Sequence, residues 1–175
     1  MIILKICTLE SIFFMHPRIG KNGKVFNLYK FRTMKHSRDL ILEDYFKKNP
    51  QEKNKWDENY KLKDDPRITK IGYFLREFSL DELPQILNIL KGEMSFIGPR
   101  PIVKKEINKY GQDFHKYTTV KPGLTGLWQV SGRNNTTYKE RVDYDMYYIT
   151  NQSLPLDIKI FFKTFLIVLS RKGAY

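Results

Sequence analysis

The chain of 175 residues holds a single cysteine, Cys7, which excludes an internal disulfide and a cysteine-cluster metal centre and fits a reducing compartment. Long apolar runs are also missing. The longest, Ile158 to Leu169, is broken by Lys159 and Lys163 and falls short of the roughly 20 residues that span a bilayer as a helix. Met1 to Met15 is apolar but carries Lys5 and Glu10, and it lacks a basic start followed by a small-residue cleavage site. It therefore does not read as a signal peptide, and a buried strand or the remnant of something longer fits better. The glycines between Gly123 and Gly132 match neither G-x-G-x-x-G nor the G-K-[ST] of a phosphate-binding loop, so nucleotide binding by either device is excluded. There is no internal repeat and no low-complexity tract. Acidic residues are scarce: 19 Asp and Glu stand against 31 Lys and Arg, for a net charge of +12. That balance calls for an anionic partner, which could be nucleic acid, lipid headgroups or a phosphorylated small molecule.

What is present suits one domain, since 41% hydrophobic and 14% aromatic residues are enough to build a core. Its most informative stretch is Ser79-Leu80-Asp81-Glu82-Leu83-Pro84-Gln85. Ser79 and Glu82 have the spacing of a capping box, and Leu80, Leu83, Leu87, Leu90 and Met94 follow at helical intervals. A capped helix does not account for Asp81, however, and Pro84 lies too deep to be harmless, so it kinks or delays the first turn.

Around this stretch the chain divides into short elements. Asn22-Gly23 is a type I′ turn signal, which predicts a hairpin over 17–34. Strand alternation puts Lys30 and Arg32 on one face as a two-cation rail suited to phosphate, although a solvated strand face explains the same pair. The segment from His36 to Asp64 is expected to be a surface helix plus loop. Thr69 is positioned to cap a helix whose apolar stripe is Ile71, Phe74, Leu75 and Phe78, and Arg76 ends up near Ser79. Gly92 ends the next helix, and a short strand leads into Gly98-Pro99-Arg100-Pro101. Two prolines stiffen the backbone around Arg100, as a phosphate clamp or a rigid surface corner would require. Residues 103–117 read as an exposed helix. Lys121 to Arg133 carries glycines that permit close backbone approach. Two more helices are expected, over 138–148 and 156–171, the last amphipathic and suited to the core or to a membrane interface.

Taken in order, Lys30-Phe31-Arg32-Thr33-Met34, Asp65-Pro66-Arg67-Ile68-Thr69, Ser79 to Gln85, Gly98-Pro99-Arg100-Pro101, Pro122-Gly123-Leu124-Thr125-Gly126 and Gly173-Ala174-Tyr175 resemble the bacterial sugar transferase family. These are the monotopic phosphoglycosyl transferases. The resemblance implies transfer of a hexose 1-phosphate from a UDP-sugar to a polyprenyl phosphate such as undecaprenyl phosphate, releasing UMP, at the cytoplasmic face of the bacterial inner membrane. It implies Asp81 as the nucleophile and Glu82 as the ligand of Mg²⁺, roles that suit a carboxylate pair. It further implies Arg76 and Arg100 as phosphate or acceptor contacts, with Lys30, Arg32 and Arg133 as further binding residues. The family's re-entrant membrane helix is not matched, so the resemblance describes a single catalytic domain over 1–175, truncated ahead of Ser11. The expected fold is a compact α/β (α+β) domain, mostly short helices around a small hairpin sheet, with amphipathic helices flat on the bilayer. The expected partners are a UDP-sugar, a polyprenyl phosphate and the membrane surface, and self-association stays open. A basic nucleic-acid-binding module is the competing class, and binding to nucleic acid is not expected. An impaired, membrane-surface fragment of such an enzyme is a third reading.

Overall fold

Asn22 and Gly23 turn the chain with φ of 57° and 72°, the left-handed geometry that Asn-Gly adopts easily. The computed structural model describes residues 11–59, 62, 64–132 and 136–170, and the turn joins β1 (Phe13–Ile19) to β2 (Val25–Phe31) in antiparallel register. The connection holds three residues, Lys21 to Gly23, and Gly20 N–H closes it on the Lys24 carbonyl at 2.8 Å. Phe14 therefore pairs with Lys30 and Arg18 with Phe26, and paired residues share a face of the sheet.

The region expected to be a helix plus loop forms two helices, α1 (Arg38–Lys48) and α2 (Pro50–Asn59). Proline at the first position starts α2 without losing a hydrogen bond, and Phe46 meets Trp56 with ring centroids 6.0 Å apart. A bidentate ion pair then closes the turn at Asp65, where Arg67 Nε and Nη2 reach the two carboxylate oxygens at 2.8 and 2.5 Å. A bridge between Met34 and Ile68 lays this turn beside Thr33. Thr69 caps α3 (Lys70–Glu77) as predicted, its hydroxyl accepting from Gly72 N–H at 3.0 Å. Gly72 must be glycine here, because a Cβ would stand 2.1 Å from the Thr33 carbonyl oxygen.

A 3₁₀ turn (Leu80–Gln85) and α4 (Ile86–Leu90) follow, and Gly92 ends α4 at φ 75°. Along this stretch the predicted apolar stripe does not face a core. Met94 is buried, but Leu83, Leu87 and Leu90 are exposed. β3 (Ser95–Ile97) pairs in parallel with β4 (Gly123–Thr125), a second sheet beyond the predicted hairpin. Glycine permits this contact: a Cβ on Gly123 would lie 2.2 Å from Gly98 N, and one on Gly126 would lie 2.0 Å from Gly98 O.

The exposed helix predicted over 103–117 is broken. Gly111, at φ 53°, separates α5 (Ile107–Tyr110) from α6 (Phe114–Tyr117), which turns Tyr110 and Tyr117 into the interior at 3% and 1% exposure. α7 (Leu127–Ser131), α8 (Tyr138–Thr150) and α9 (Leu154–Ser170) complete the chain, the last two within a few residues of prediction. Thr137 and Glu140 form the capping box of α8.

Side chains pack into three apolar clusters. Ile19, Ile102, Tyr110, Tyr117 and Val142 form one, Phe26, Leu28 and Met94 another, and Val130, Tyr148 and Ile160 the third. The fold is mixed α/β and mostly helical. Among the described residues no helix is long and apolar enough to cross a membrane.

Candidate active site

Ser79 does not cap the turn that carries the acid pair. It takes a left-handed conformation, φ 55° and ψ 21°, and its side chain makes no capping bond; only its carbonyl accepts, from Glu82 N–H at 3.3 Å. The expected capping box with Glu82 is therefore absent. Glu82 instead reaches across to β2, where Lys30 Nζ donates to its Oε1 at 2.7 Å and to Asp81 Oδ2 at 3.5 Å. Pro84 is buried inside the 3₁₀ turn, where the tighter winding avoids the clash it would cause in an α-helix. About 120° now separates successive side chains, so Asp81 turns inward and Glu82 stays part-exposed.

The turn is held against the hairpin by Asn88, which is fully buried. Its Oδ1 accepts from Tyr29 N–H at 3.0 Å, and its Nδ2 donates to the Asn27 carbonyl at 2.8 Å and to Glu93 Oε2 at 2.7 Å. These bonds hold β2 just ahead of Lys30 against α4. Arg76 approaches from α3, its Nε donating to Thr33 Oγ1 at 3.0 Å. Burial pushes the Asp81 carboxyl above the usual carboxylate range; the adjacent Glu82 charge adds to this, while Lys30 and Arg76 oppose it. Burial likewise lowers Arg76, and the Asp81 charge partly restores it. The result is a carboxylate with little solvation, in contact with one ammonium and near one guanidinium.

A narrow cleft beside this pair is lined by Lys30, Glu82 and Gln85 together with Arg18, Arg100 and Gln129. Arg100 is presented as the two flanking prolines suggest. Its carbonyl accepts from Tyr117 Oη–H at 3.1 Å, and its guanidinium lies 5.6 Å from the centre of the Trp128 ring. The structure thus brings Asp81, Glu82, Lys30, Arg76 and Arg100 to one region. Arg32 goes elsewhere. It lies just beyond the end of β2, with Nε on the Ser11 carbonyl at 2.9 Å and its guanidinium 5.9 Å from the ring of Phe14, the cross-strand partner of Lys30; the two cations share a face as expected, but Arg32 does not line the cleft. Arg133 and the closing Gly-Ala-Tyr lie outside the described residues.

Two features escaped sequence reasoning. Arg18 reaches the cleft because the three-residue connection sets its register; a two-residue loop would pair it with Asn27 and turn it to the opposite face. The second is a buried network behind Arg100. Tyr110 donates to Asp145 Oδ2 at 2.6 Å, Arg141 donates to Glu106 Oε1 at 3.0 Å, and the Arg141 guanidinium lies 4.9 Å from both the Trp128 and Tyr138 rings. Its only trace in the sequence is that Arg141 and Asp145 are four apart on one helical face.

The bacterial sugar transferase family model matches residues 1–171. An uncharacterized sugar transferase of Haemophilus influenzae is 54% identical over 160 residues, covering 91% of this chain and 34% of that protein. The undecaprenyl-phosphate galactose phosphotransferase of Salmonella typhimurium is 50% identical over the same share of each. The exopolysaccharide production protein ExoY of Sinorhizobium fredii is 50% identical over 165 residues, 94% of this chain and 73% of its own length. The chain spans about a third of the first two and most of the third. With the family match running across Asp81, Glu82, Arg76 and Arg100, this chain belongs to the bacterial sugar transferase family.

Proposed function

We propose that this chain transfers a hexose 1-phosphate from a UDP-sugar to a polyprenyl phosphate, an initiating step of exopolysaccharide, O-antigen or capsule assembly. The observation that carries the reading is the poorly solvated Asp81 carboxylate, held on an irregular turn against Lys30 and Arg76 beside a cationic cleft. The name of the Salmonella relative, a phosphotransferase acting on undecaprenyl phosphate, supports the same class of reaction.

In this reading an Asp81 oxygen attacks the β-phosphorus of the UDP-sugar. A new P–O bond forms, the bridging P–O bond to the α-phosphate breaks, and UMP leaves with that electron pair. An oxygen of the polyprenyl phosphate then attacks the same phosphorus and releases Asp81, giving a polyprenyl-diphospho-sugar. Burial favours the first step by stripping water from the nucleophile, and the Lys30 charge opposes the rise that burial imposes on the Asp81 carboxyl. Arg76 and Arg100 bring guanidinium groups to the diphosphate.

The acid pair suits Mg²⁺, which is commonly held by one or two carboxylates together with substrate phosphate oxygens and water. Glu82 and Asp81 offer such oxygens, and among the described residues they belong to no cluster of three acidic, histidine or cysteine side chains. Glu82 would hold the ion, exchanging its contact with Lys30. When bound, the ion would offset diphosphate charge during the displacement. In this reading the lipid acceptor puts the reaction at a membrane surface, which we propose is the cytoplasmic face. Exposed Leu83, Leu87 and Leu90 near the acid pair, and Phe162, Phe165 and Leu166 on α9, supply apolar surface for such a location.

The test is release of UMP from a panel of UDP-sugars by membranes containing the chain and polyprenyl phosphate. Asp81→Asn is expected to reduce UMP release by about a thousandfold or more while the protein keeps its thermal unfolding transition. An Asn variant with full turnover removes Asp81 from the nucleophile's role.

A further inference from the structure

The cleft that Glu82 lines also holds two arginines of different origin. Arg18 comes from β1, and Arg100 comes from the turn between β3 and α5. They are brought together where β1 ends, because Ile19 N–H donates to the Ile102 carbonyl at 2.9 Å, fixing the residues just ahead of each in neighbouring positions. Tyr117 fastens the junction. Its hydroxyl accepts from Ile102 N–H at 3.3 Å and lies 3.1 Å from the Arg100 carbonyl and 3.4 Å from that of Ile19. Both guanidinium groups are thus set on backbone that is tied down at several points.

Two like charges side by side in a partly buried cleft are unfavourable unless something negative is brought between them. Asp145, whose charge acts on Arg100, accepts from Tyr110, and the oxygens of Glu106, whose charge acts on both arginines, are engaged as well. Oε1 accepts from Arg141, and Oε2 accepts from Val103 N–H at 2.8 Å. Arg18 itself donates to uncharged groups, the His16 ring nitrogen and the Pro17 carbonyl. Burial keeps His16 below its ordinary range, so the ring is neutral near pH 7. Among the described residues no carboxylate lies within ion-pair distance of Arg18 or Arg100. The strain shows in the protonation of Arg18, which burial and then the Arg100 charge push down to about 10.

We infer that Arg18 is a further substrate-binding residue, which forms with Arg100 a two-guanidinium cradle for the diphosphate of the sugar nucleotide, in the cleft that Glu82 also lines. This rests on the transfer reading for its natural ligand, but the cradle itself needs only a diphosphate. Planar guanidinium groups can each offer paired N–H donors to phosphate oxygens, and a bound diphosphate supplies the negative charge that this pair lacks.

The test measures binding of inorganic pyrophosphate by calorimetry to the whole chain in detergent, for the unsubstituted protein and for Arg18→Gln, Arg18→Lys and Lys24→Gln. Lys24 is an exposed residue next to the hairpin turn and serves as the charge control. Arg18→Gln is expected to weaken pyrophosphate roughly tenfold or more, with Lys24→Gln unchanged and Arg18→Lys in between. With UDP-galactose, Arg18→Gln is expected to raise KM by a similar factor with little change in kcat. Pyrophosphate affinity within about twofold of the unsubstituted protein in Arg18→Gln overturns the assignment, as does failure of the unsubstituted chain to bind pyrophosphate. Should Arg18→Gln not fold, Arg18→Lys decides: it keeps the charge but loses the planar fork, and unchanged affinity overturns the cradle. Pyrophosphate binding that depends on Arg18 without UMP release from any UDP-sugar would leave the cradle standing and remove the transfer reading. UMP release with an unchanged KM in Arg18→Gln would do the reverse.

Discussion

Lys30 contacts both carboxylates of the acid pair, so its charge sets how readily Asp81 ionises. Burial raises the Asp81 pKa and Lys30 lowers it. In the proposed reaction only the ionised form attacks phosphorus, so the acid limb of kcat/KM is expected to follow that pKa in the free protein. Removing the ammonium removes a lowering influence, and Lys30→Met should therefore move the acid limb of UMP release to higher pH, in addition to reducing the rate. A limb that stays in place or moves down would show that Lys30 does not control Asp81. Some of this chemistry was legible from residue types in order. Thr69 as a cap, the burial of an Asp81 that no cap explains and the stiff presentation of Arg100 are local features that short windows record. The Lys30–Glu82 contact joins residues 52 apart and leaves no local trace, which is why Glu82 was read as half of a capping box. Ser79 defeats that box because its left-handed backbone, uncommon for serine, turns its side chain away from the N–H groups it would cap. Arg18 depended on the register of a hairpin, where one residue more or less in the turn reverses the face.

Among the elements, the short parallel sheet of β3 and β4 positions Arg100 and illustrates what periodicity does not record. Each strand has three residues, and the pair is made possible by Gly98, Gly123 and Gly126 rather than by apolar alternation. The glycines were visible in the sequence, but not which backbone they approach. A Cβ on Gly126 would have to displace the Gly98 carbonyl, which is backbone and cannot swing aside, so Gly126→Ala should cost several kcal/mol, on the order of 3 or more, and lose soluble folded protein. Gly111 is a contrasting case. Open space surrounds its missing side chain, and only its backbone, φ 53° and ψ −125°, a region nearly confined to glycine, resists substitution, so Gly111→Ala should cost about 2 kcal/mol. Urea unfolding of both variants tests the distinction, and equal losses would contradict it. The same Gly111 explains why 103–117 is not one helix: it breaks the run so that Tyr110 and Tyr117 both reach the core, and Tyr117 can then fasten Arg100.

For the whole molecule, two properties follow from how charge and apolar surface are distributed. The first is a pH dependence of stability centred on Asp145, which burial pushes up to about 6 against the opposing effects of the Tyr110 hydrogen bond and of Arg141 and Arg100. In the unfolded chain the same carboxyl titrates near 3.9, so between about pH 4 and 6 the native state binds more protons than the unfolded state. Its contribution to stability therefore falls as pH rises through that window and stays constant above it. Asp145→Asn should remove about 3 kcal/mol of that dependence at most, seen as a flatter profile of urea stability from pH 4 to 6.5; an unchanged slope would assign it to other groups. The second property is the apolar surface. Phe162 and Leu166 are more than 60% exposed and four residues apart on one face of α9, while the chain as a whole carries a net charge of +12. A surface both apolar and cationic is suited to an anionic bilayer, where basic groups draw the protein in and apolar side chains enter the interface. The chain should accordingly sediment with phosphatidylglycerol-containing vesicles more than with neutral phosphatidylcholine vesicles, and added salt should weaken the preference. Phe162→Glu combined with Leu166→Glu should weaken vesicle binding by roughly a hundredfold, since each side chain contributes up to about 1.5–3 kcal/mol on burial and only part of that is realised at an interface. Because neither residue approaches the cleft, UMP release in detergent should persist in that variant. Vesicle binding equal to that of the unsubstituted chain would move the docking surface off α9, leaving exposed Leu83, Leu87 and Leu90 as the next face to substitute.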